Sequence, residues 1–241
     1  MKAAIPKDVW APDTRFGYWF QQTRVWTLYV LEPAVEEWMK LLRSVSAPSR
    51  FEHVLDVGCG TGLAFDLLEA RFSPGRITAV DVDPAVMAAA RQAAAECDCP
   101  VEVLEANVEK LGLPDESIDL VFCHQTLHHV VDQPGTFREL HRVLRPAGLL
   151  LLAESCRSFT LSLLVRALFH HEESTQRTAQ EYRQLARDAG FAIEAEQLSR
   201  PFWSKPDFGL VERLTGRAPE SQEPTQIALV ASRPGLRGVP G

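Results

Sequence analysis

The sequence has few cysteines, no long apolar run and no surplus of basic residues. The five cysteines are odd in number and lack the spacing of a disulfide framework, so reduced thiols in a cytoplasm are expected. No run of about 18 apolar residues occurs, so no membrane-spanning helix is predicted, and residues 1–10 lack the apolar core of a secretory signal. The 32 acidic residues outnumber the 25 basic ones and give a net charge of -7, which disfavours nucleic acid as a partner.

Metal-binding spacings are also missing from the sequence. Cys97 and Cys99 form a C-x-C pair, but no second pair of ligands follows at the spacing of a zinc site. His170 and His171, which precede two glutamates, are interpreted as the polar end of an apolar helix. No metal site is therefore expected.

Aromatic residues are concentrated near the start of the chain, where eight lie between Trp10 and Trp38. Residues 1–48 are predicted to form a helical, aromatic cap. Residues 49–233 are predicted to form one ligand-binding domain, for which the chain is long enough to bury a full core. Residues 234–241 are predicted to form a flexible tail, because they are rich in glycine and proline.

Short apolar runs alternate with helical segments from residue 53 onward. Such alternation predicts an α/β fold with a parallel sheet covered by helices on both faces. The predicted strands are residues 53–57, 77–80, 101–104, 118–123, 149–153, 191–198 and 225–231. The predicted helices of this domain are residues 63–71, 84–95, 134–144, 159–169 and 178–189.

A glycine-rich turn follows the first predicted strand, where residues 54–62 read VLDVGCGTG. Glycine permits positive φ and lets a ligand approach the backbone, and the helix that follows directs free N–H groups at the ligand. A dinucleotide site prefers G-x-G-x-x-G, but Leu63 occupies the position of the third glycine. Asp56 adds a negative charge that opposes a diphosphate and favours an ammonium group.

The next two predicted strands end in polar residues at the same edge of the sheet. A carboxylate at Asp81 can accept hydrogen bonds from both hydroxyls of a ribose. Asn107, followed by Val108, can read the rim of an adenine. Open α/β sheets bind ligands at these carboxyl ends of their parallel strands, so a nucleoside ligand is predicted there.

Five motifs in order resemble the class I S-adenosylmethionine-dependent methyltransferases of the UbiE or small-molecule type. They are LDVGCGTG, AVDVDPAVM, NVEKLGLPDESIDLVFC, LHHV and RELHRVLRPAGLLLLAE, and they span roughly residues 52–154. The resemblance implies a Rossmann-like, seven-stranded, mostly parallel sheet with a reversed last strand. It also implies that S-adenosyl-L-methionine lies across the strand ends and leaves as S-adenosyl-L-homocysteine.

The resemblance also implies roles for individual residues around this cofactor. The methionine end is assigned to Asp56, Gly58, Cys59, Gly60, Thr61 and Gly62. The ribose is assigned to Asp81, the adenine to Val82, Asn107 and Val108, and the surroundings of the sulfonium to Cys123 and His124. Asn107 departs from the family, in which many relatives carry Asp at this position.

The candidate catalytic residues are His124, His128 and His129, which end or follow the fourth strand. Because the cofactor supplies the electrophile, the sequence does not require a named base. Glu154, at the end of the fifth strand, and Trp19 and Trp26 are candidates for the acceptor pocket. The early aromatic residues also fit the alternative of plain core filling.

The predicted reaction is O- or C-methylation of a small, apolar or aromatic acceptor by a monomer or homodimer. Three alternatives remain open from the sequence. They are a nicotinamide-dependent oxidoreductase, a non-catalytic S-adenosylmethionine-binding module, and an RNA or protein methyltransferase. Leu63 disfavours the first, and the acidic balance disfavours RNA.

Overall fold

The computed structural model describes residues 14–199 and 223–235. A seven-stranded sheet forms its centre. The strands are β1 (His53–Val57), β2 (Arg76–Asp81), β3 (Val101–Glu105), β4 (Ile118–His124), β5 (Leu144–Ser155), β6 (Ala192–Ser199) and β7 (Gln226–Ser232). Their order across the sheet is β3-β2-β1-β4-β5-β7-β6. The first five strands are mutually parallel, and β7 is antiparallel to β5 and β6, as the resemblance implies.

Helices cover both faces of this sheet. The helices are α1 (Arg15–Gln21), α2 (Arg24–Trp26), α3 (Glu32–Ser44), α4 (Phe65–Phe72), α5 (Met87–Ala94), α6 (Gln133–Val143), α7 (Arg157–Thr160), α8 (Leu163–Leu168) and α9 (Ala179–Asp188). Short 3-10 segments lie at Leu127–His129 and Glu173–Thr175, and a π-helical segment lies at Thr27–Leu31. In the described part of the chain, no helix is both long and apolar enough to cross a membrane.

The two faces bury separate apolar clusters because successive side chains of a strand point to opposite sides. Val54 packs into the cluster under α3, α4 and α5, whereas Leu55 packs into the cluster under α6 and α9. The indole of Trp38 is fully buried, and its Nε1 donates to the carbonyl of Leu229 at 3.3 Å. This bond fixes α3 against β7.

One predicted helix is wrong. Residues 159–169 were expected to form a single helix because the run is apolar, but α7 ends at Thr160 and α8 begins at Leu163. Ser162 lies between them with extended backbone angles, φ -64° and ψ 150°, which end one helix and begin the next. The fifth strand also begins earlier than predicted, because Leu144 pairs with Ile118.

The N-terminal segment is helical and contacts the region of α8. Thr14 accepts from the N–H of Gly17 to cap α1, and its hydroxyl donates to the carbonyl of Leu168 at 2.8 Å. The rings of Phe16 and Phe20 both lie within 6 Å, centroid to centroid, of Phe169. These contacts hold the helices before residue 48 against a later part of the chain. Trp10 and the predicted tail from residue 236 onward lie outside the described residues.

Candidate functional site

A cleft lies at the carboxyl ends of β1, β2 and β4, beneath α1 and α2. The turn after β1 forms its floor, where the N–H groups of Gly58 and Cys59 both donate to the carbonyl of Val80. The residues that line the cleft are Tyr18, Gln21, Gln22, Trp26, Leu31, Asp56, Gly58, Cys59, Gly60, Thr61, Leu63, Ala64, Asp81, Asp83, Val86, Phe122, His124, Gln125, Thr126 and His129.

The glycines of this turn differ in what surrounds them. Gly58 and Gly60 have positive φ angles of +73° and +53°, which favour glycine. A Cβ at Gly58 would lie 2.3 Å from Oγ1 of Thr126, whereas a Cβ at Gly60 would meet nothing within 4 Å. Gly58 therefore allows the chain to pack closely, and Gly60 presents bare backbone to the open cleft.

Asp81 joins the end of β2 to the glycine turn. Its Oδ2 accepts from the N–H of Gly60 and its Oδ1 from the N–H of Asp83, both at 2.9 Å. Burial raises the pKa of this carboxyl above its usual value, although these N–H groups oppose the shift. Each carboxylate oxygen has two lone pairs, so one on each oxygen remains for ligand hydroxyls.

Asp56 is the residue of the cleft that best fits a cationic group. The residue is 2% exposed, and its Oδ2 has no hydrogen-bond partner. Burial, and then the charge of Asp81, raise the pKa of Asp56 to about 8. A buried carboxylate without a partner is costly, so a ligand with an ammonium group in the cleft is well matched to this position.

The comparisons with known proteins agree with this geometry. A family model described as "Methyltransferase domain" matches residues 55–152. A probable S-adenosylmethionine-dependent methyltransferase of Mycobacterium tuberculosis is 36% identical over 138 residues, which are 57% of this chain and 48% of that protein. Residues 55–152 are therefore similar to methyltransferase domains, and the relative that matches this region is named as dependent on S-adenosylmethionine. The cofactor of such domains is S-adenosyl-L-methionine.

Two further relatives act, by their names, on small molecules. Phosphoethanolamine N-methyltransferase 3 of Arabidopsis thaliana is 31% identical over 147 residues, 58% of this chain and 29% of that protein. Trans-aconitate 2-methyltransferase of Escherichia coli is 36% identical over 118 residues, 49% of this chain and 43% of that protein. The match to each of these three relatives spans less than half of its length.

The fold extends beyond the matched residues. A crystal structure of an S-adenosylmethionine-dependent methyltransferase from Mesorhizobium loti aligns with a TM-score of 0.58 at 21% identity. The alignment covers 82% of this chain and 97% of that one. At this identity the similarity establishes the shared Rossmann-like fold, not a shared substrate.

Glu154 holds the turn after β4, which borders the cleft. Its Oε1 accepts from the N–H groups of Thr126 at 2.7 Å and Leu127 at 2.6 Å, and its Oε2 lies 2.6 Å from Nδ1 of His128. The side chain is fully buried, and burial raises its pKa to about 8. The expectation that Glu154 faces the acceptor is therefore wrong, because its carboxylate is used in holding the turn after β4.

His124 lies at the end of β4 with its ring edge toward Trp26, at a centroid distance of 6.0 Å. Its buried Nε2 has no hydrogen-bond partner. Burial, and then His128, lower the pKa of His124 to about 3, so the ring is neutral at physiological pH. A neutral ring offers a hydrogen-bond acceptor rather than a positive charge beside the cleft.

The cleft brings together only part of the predicted site. From the predicted residues, the lining includes Asp56, Gly58, Cys59, Gly60, Thr61, Asp81, His124, His129 and Trp26. The lining omits Gly62, Val82, Asn107, Val108, Cys123, His128, Glu154 and Trp19.

Local packing explains why three of these residues do not line the cleft. Cys123 is fully buried in the core under α6, and Trp19 is 61% exposed on the outer side of α1. Asn107 follows β3, the strand that pairs with β2 and its last residue Asp81. Its Oδ1, however, accepts from the N–H of Glu109 rather than facing the cleft without a partner. Its contact with adenine stays a prediction.

Several lining residues were not predicted from the sequence. Gln125 and Thr126 directly follow β4, and the positive φ of Gln125, 52°, marks a turn that opens toward the cleft. Tyr18, Gln21 and Leu31 come from the aromatic segment that precedes the domain. The aromatic content of that segment was the only signal for its role, and it did not distinguish the residues that face inward.

Proposed function

We propose that the protein transfers the methyl group of S-adenosyl-L-methionine to a small, apolar or aromatic acceptor, by O- or C-methylation. The observation that carries this proposal is the buried, unpartnered Oδ2 of Asp56 beside the open backbone at Gly60. A cofactor with an ammonium group at one end and a ribose at the other matches Asp56 and Asp81 in turn.

The cofactor is placed by residues at the ends of three strands. Asp56 binds its ammonium group, Gly60 and Thr61 border its methionine end, and Asp81 accepts from its ribose hydroxyls. Val82, Asn107 and Val108 are assigned to the adenine, as the order β3-β2-β1 supports. With the cofactor held in this way, His124, which lines the same cleft, would lie near its reactive end.

The protein's contribution to catalysis is alignment and exclusion of water. S-adenosyl-L-methionine supplies an electrophilic methyl group, so the protein needs no nucleophile of its own. Alignment of this kind contributes roughly 7–11 kcal/mol in favourable cases. Trp26, Leu31 and Phe122 line the cleft with apolar surface that keeps water from the reacting atoms.

His124 is assigned to orienting the acceptor. Its neutral, unpartnered Nε2 accepts a hydrogen bond from the acceptor's hydroxyl, but its lowered pKa makes it a weak base. When bound, S-adenosyl-L-methionine would supply the methyl group, which would pass to the acceptor's electron pair while the electrons of the carbon–sulfur bond stay on sulfur. The acceptor's proton then passes to solvent, and S-adenosyl-L-homocysteine remains.

The acceptor class is inferred from the lining and from the relatives. Tyr18, Trp26, Leu31 and Phe122 make the part of the cleft near β4 and the cap aromatic and aliphatic. Two of the relatives named above act, by their names, on small molecules, phosphoethanolamine and trans-aconitate. The relatives therefore favour a small acceptor, and the lining favours one with an apolar or aromatic body.

The proposal is tested by calorimetry with S-adenosyl-L-methionine and by mass spectrometry of cell extract incubated with enzyme and cofactor. We expect a product heavier by one methyl group, and about tenfold or weaker cofactor binding in Asp56→Asn and Asp81→Asn, because each loses hydrogen bonds to a charged group. Asp188→Asn, an exposed change on α9, is the matched control. Cofactor affinity that is unchanged in both cleft variants would refute the proposed placement.

A further inference from the structure

Three histidines meet at the rim of the cleft. His128 and His129 belong to the 3-10 turn after β4, and His171 follows α8. One ring nitrogen from each lies within 4.8 Å of those of the other two. The ring centroids are 4.2 Å apart for His128 and His129, 5.2 Å for His128 and His171, and 5.6 Å for His129 and His171.

Buried hydrogen bonds hold these two parts of the chain together. The hydroxyl of Thr175 donates to the carbonyl of His128 at 2.7 Å, and Nε2 of Gln176 donates to the same carbonyl at 3.0 Å. Nε2 of Gln133 donates to the carbonyls of Leu127 and Thr175, both at 2.7 Å. These buried hydrogen bonds therefore connect the turn that carries His128 and His129 to the segment that follows His171.

Glu154 fixes the orientation of His128. Nδ1 of the ring lies 2.6 Å from Oε2 of Glu154, and in the tautomer with the proton on Nδ1 the lone pair of Nε2 serves another partner. A carboxylate behind a histidine is the arrangement that orients metal-bound imidazoles and raises their basicity. No local pattern indicates this pairing, because the two residues are 26 positions apart.

Glu154 also places a carboxyl group directly behind the cluster. It is fully buried, and within the part of the chain that the structure describes the ring of His128 is its only neighbour at salt-bridge distance. A divalent ion bound on the far side of that ring would be supported by this buried carboxyl group.

We propose that His128, His129 and His171 bind a divalent transition-metal ion, of the zinc or cobalt type, at the rim of the cleft. Imidazole nitrogens suit such ions, and three of them leave a fourth position open. With metal–nitrogen bonds of about 2.1 Å, tetrahedral geometry places the nitrogens about 3.4 Å apart, so they would have to approach one another by up to about 1.4 Å on binding. This proposal replaces the expectation of no metal site.

His129 also lines the cofactor cleft, so the open position of the ion borders the place assigned to the acceptor. An acceptor with an oxygen donor, such as a phenol or a carboxylate, is the class that this position would hold. This assignment rests on the proposed function, whereas metal binding itself does not.

The test uses the full, tag-free chain after treatment with a chelator. Titration with Co²⁺ is expected to give visible absorption that saturates at one ion per chain and is displaced by Zn²⁺. His171→Ala and His129→Ala are expected to weaken Co²⁺ binding by tenfold or more, and Glu154→Gln by about 10–100-fold. His170→Ala is the matched control, because this neighbouring histidine is exposed and lies outside the cluster.

X-ray absorption of the Zn²⁺-loaded wild-type protein provides a readout that needs no variant, and three imidazole ligands are expected. The proposal is overturned if the wild-type protein binds no Co²⁺ at this stoichiometry, if fewer than three imidazoles are found, or if His171→Ala binds as the control does. Calorimetry of the same samples with S-adenosyl-L-methionine distinguishes failure of the proposed metal site from failure of the proposed function. Loss of metal binding with normal cofactor binding rejects only the metal site, whereas absent cofactor binding rejects the proposed function.

Discussion

Asp56 and Asp81 illustrate how much of the site depends on single side chains. Both follow from the sequence, because a carboxylate before a glycine turn and one at the next strand end are local patterns. The burial of Asp56, in contrast, is not indicated by the residues next to it in the sequence. Its pKa of about 8 arises from burial, and then from the charge of Asp81.

This shift predicts how stability depends on pH in the protein without ligand. Because the folded-state pKa of Asp56 is raised, the folded protein holds the proton more tightly than the unfolded chain. The contribution of Asp56 is complete below the ordinary aspartate pKa and is lost as the pH rises toward about 8. Urea unfolding should therefore show a steeper loss of stability between about pH 4 and pH 8 in the wild type than in Asp56→Asn. Parallel profiles, with Asp188→Asn as control, would contradict this prediction.

In the glycine turn after β1, neighbouring glycines have different structural roles. Its sequence predicted a ligand loop after β1, and the structure separates a packing role at Gly58 from an open backbone at Gly60. That separation depends on Thr126, which arrives from the end of β4. No pattern around residue 58 indicates that contact.

Three alanine substitutions distinguish these roles. Gly112 has a positive φ of +71° and nothing within 4 Å of its Cβ position, so Gly112→Ala should cost only the backbone term, about 1–2 kcal/mol. Gly58→Ala adds the overlap with Thr126 and should cost roughly 1–3 kcal/mol more. Gly60→Ala should match Gly112→Ala in urea unfolding but weaken cofactor binding about tenfold, or about 1.4 kcal/mol. Equal losses in the free energy of unfolding for Gly58→Ala and Gly112→Ala would contradict this prediction, because they would show that Thr126 moves aside at little cost.

At the scale of the whole molecule, the sheet was predictable and the cleft's roof was not. Buried strands and capped helices carry their signal within a few residues, which explains the agreement for β1 to β4. The roof combines the cap with the strand ends, and the histidine cluster combines residues 128 and 171 with Glu154. Such contacts join distant segments, so periodicity and spacing do not encode them.

The cap offers a matched pair of aromatic residues for testing the roof. Trp26 lines the cleft, whereas Trp19 is 61% exposed and does not. Trp26→Ala should therefore raise the KM for the acceptor severalfold while leaving the Kd for S-adenosyl-L-methionine nearly unchanged, and Trp19→Ala should alter neither. If both variants lose acceptor and cofactor binding equally and unfold at lower temperature, the cap acts as core and not as roof.

The position of β7 has a consequence for how the protein is made. This strand follows the other six in the sequence, yet it lies inside the sheet, between β5 and β6, where the carbonyl of Leu229 accepts from the indole N–H of Trp38. A ribosome that has released only the earlier strands therefore holds a nascent chain with the hydrogen-bonding edge of β5 unpaired. Completion of the sheet must therefore wait until β7 has been synthesised, and until then the open edge of β5 is a site at which nascent chains can associate.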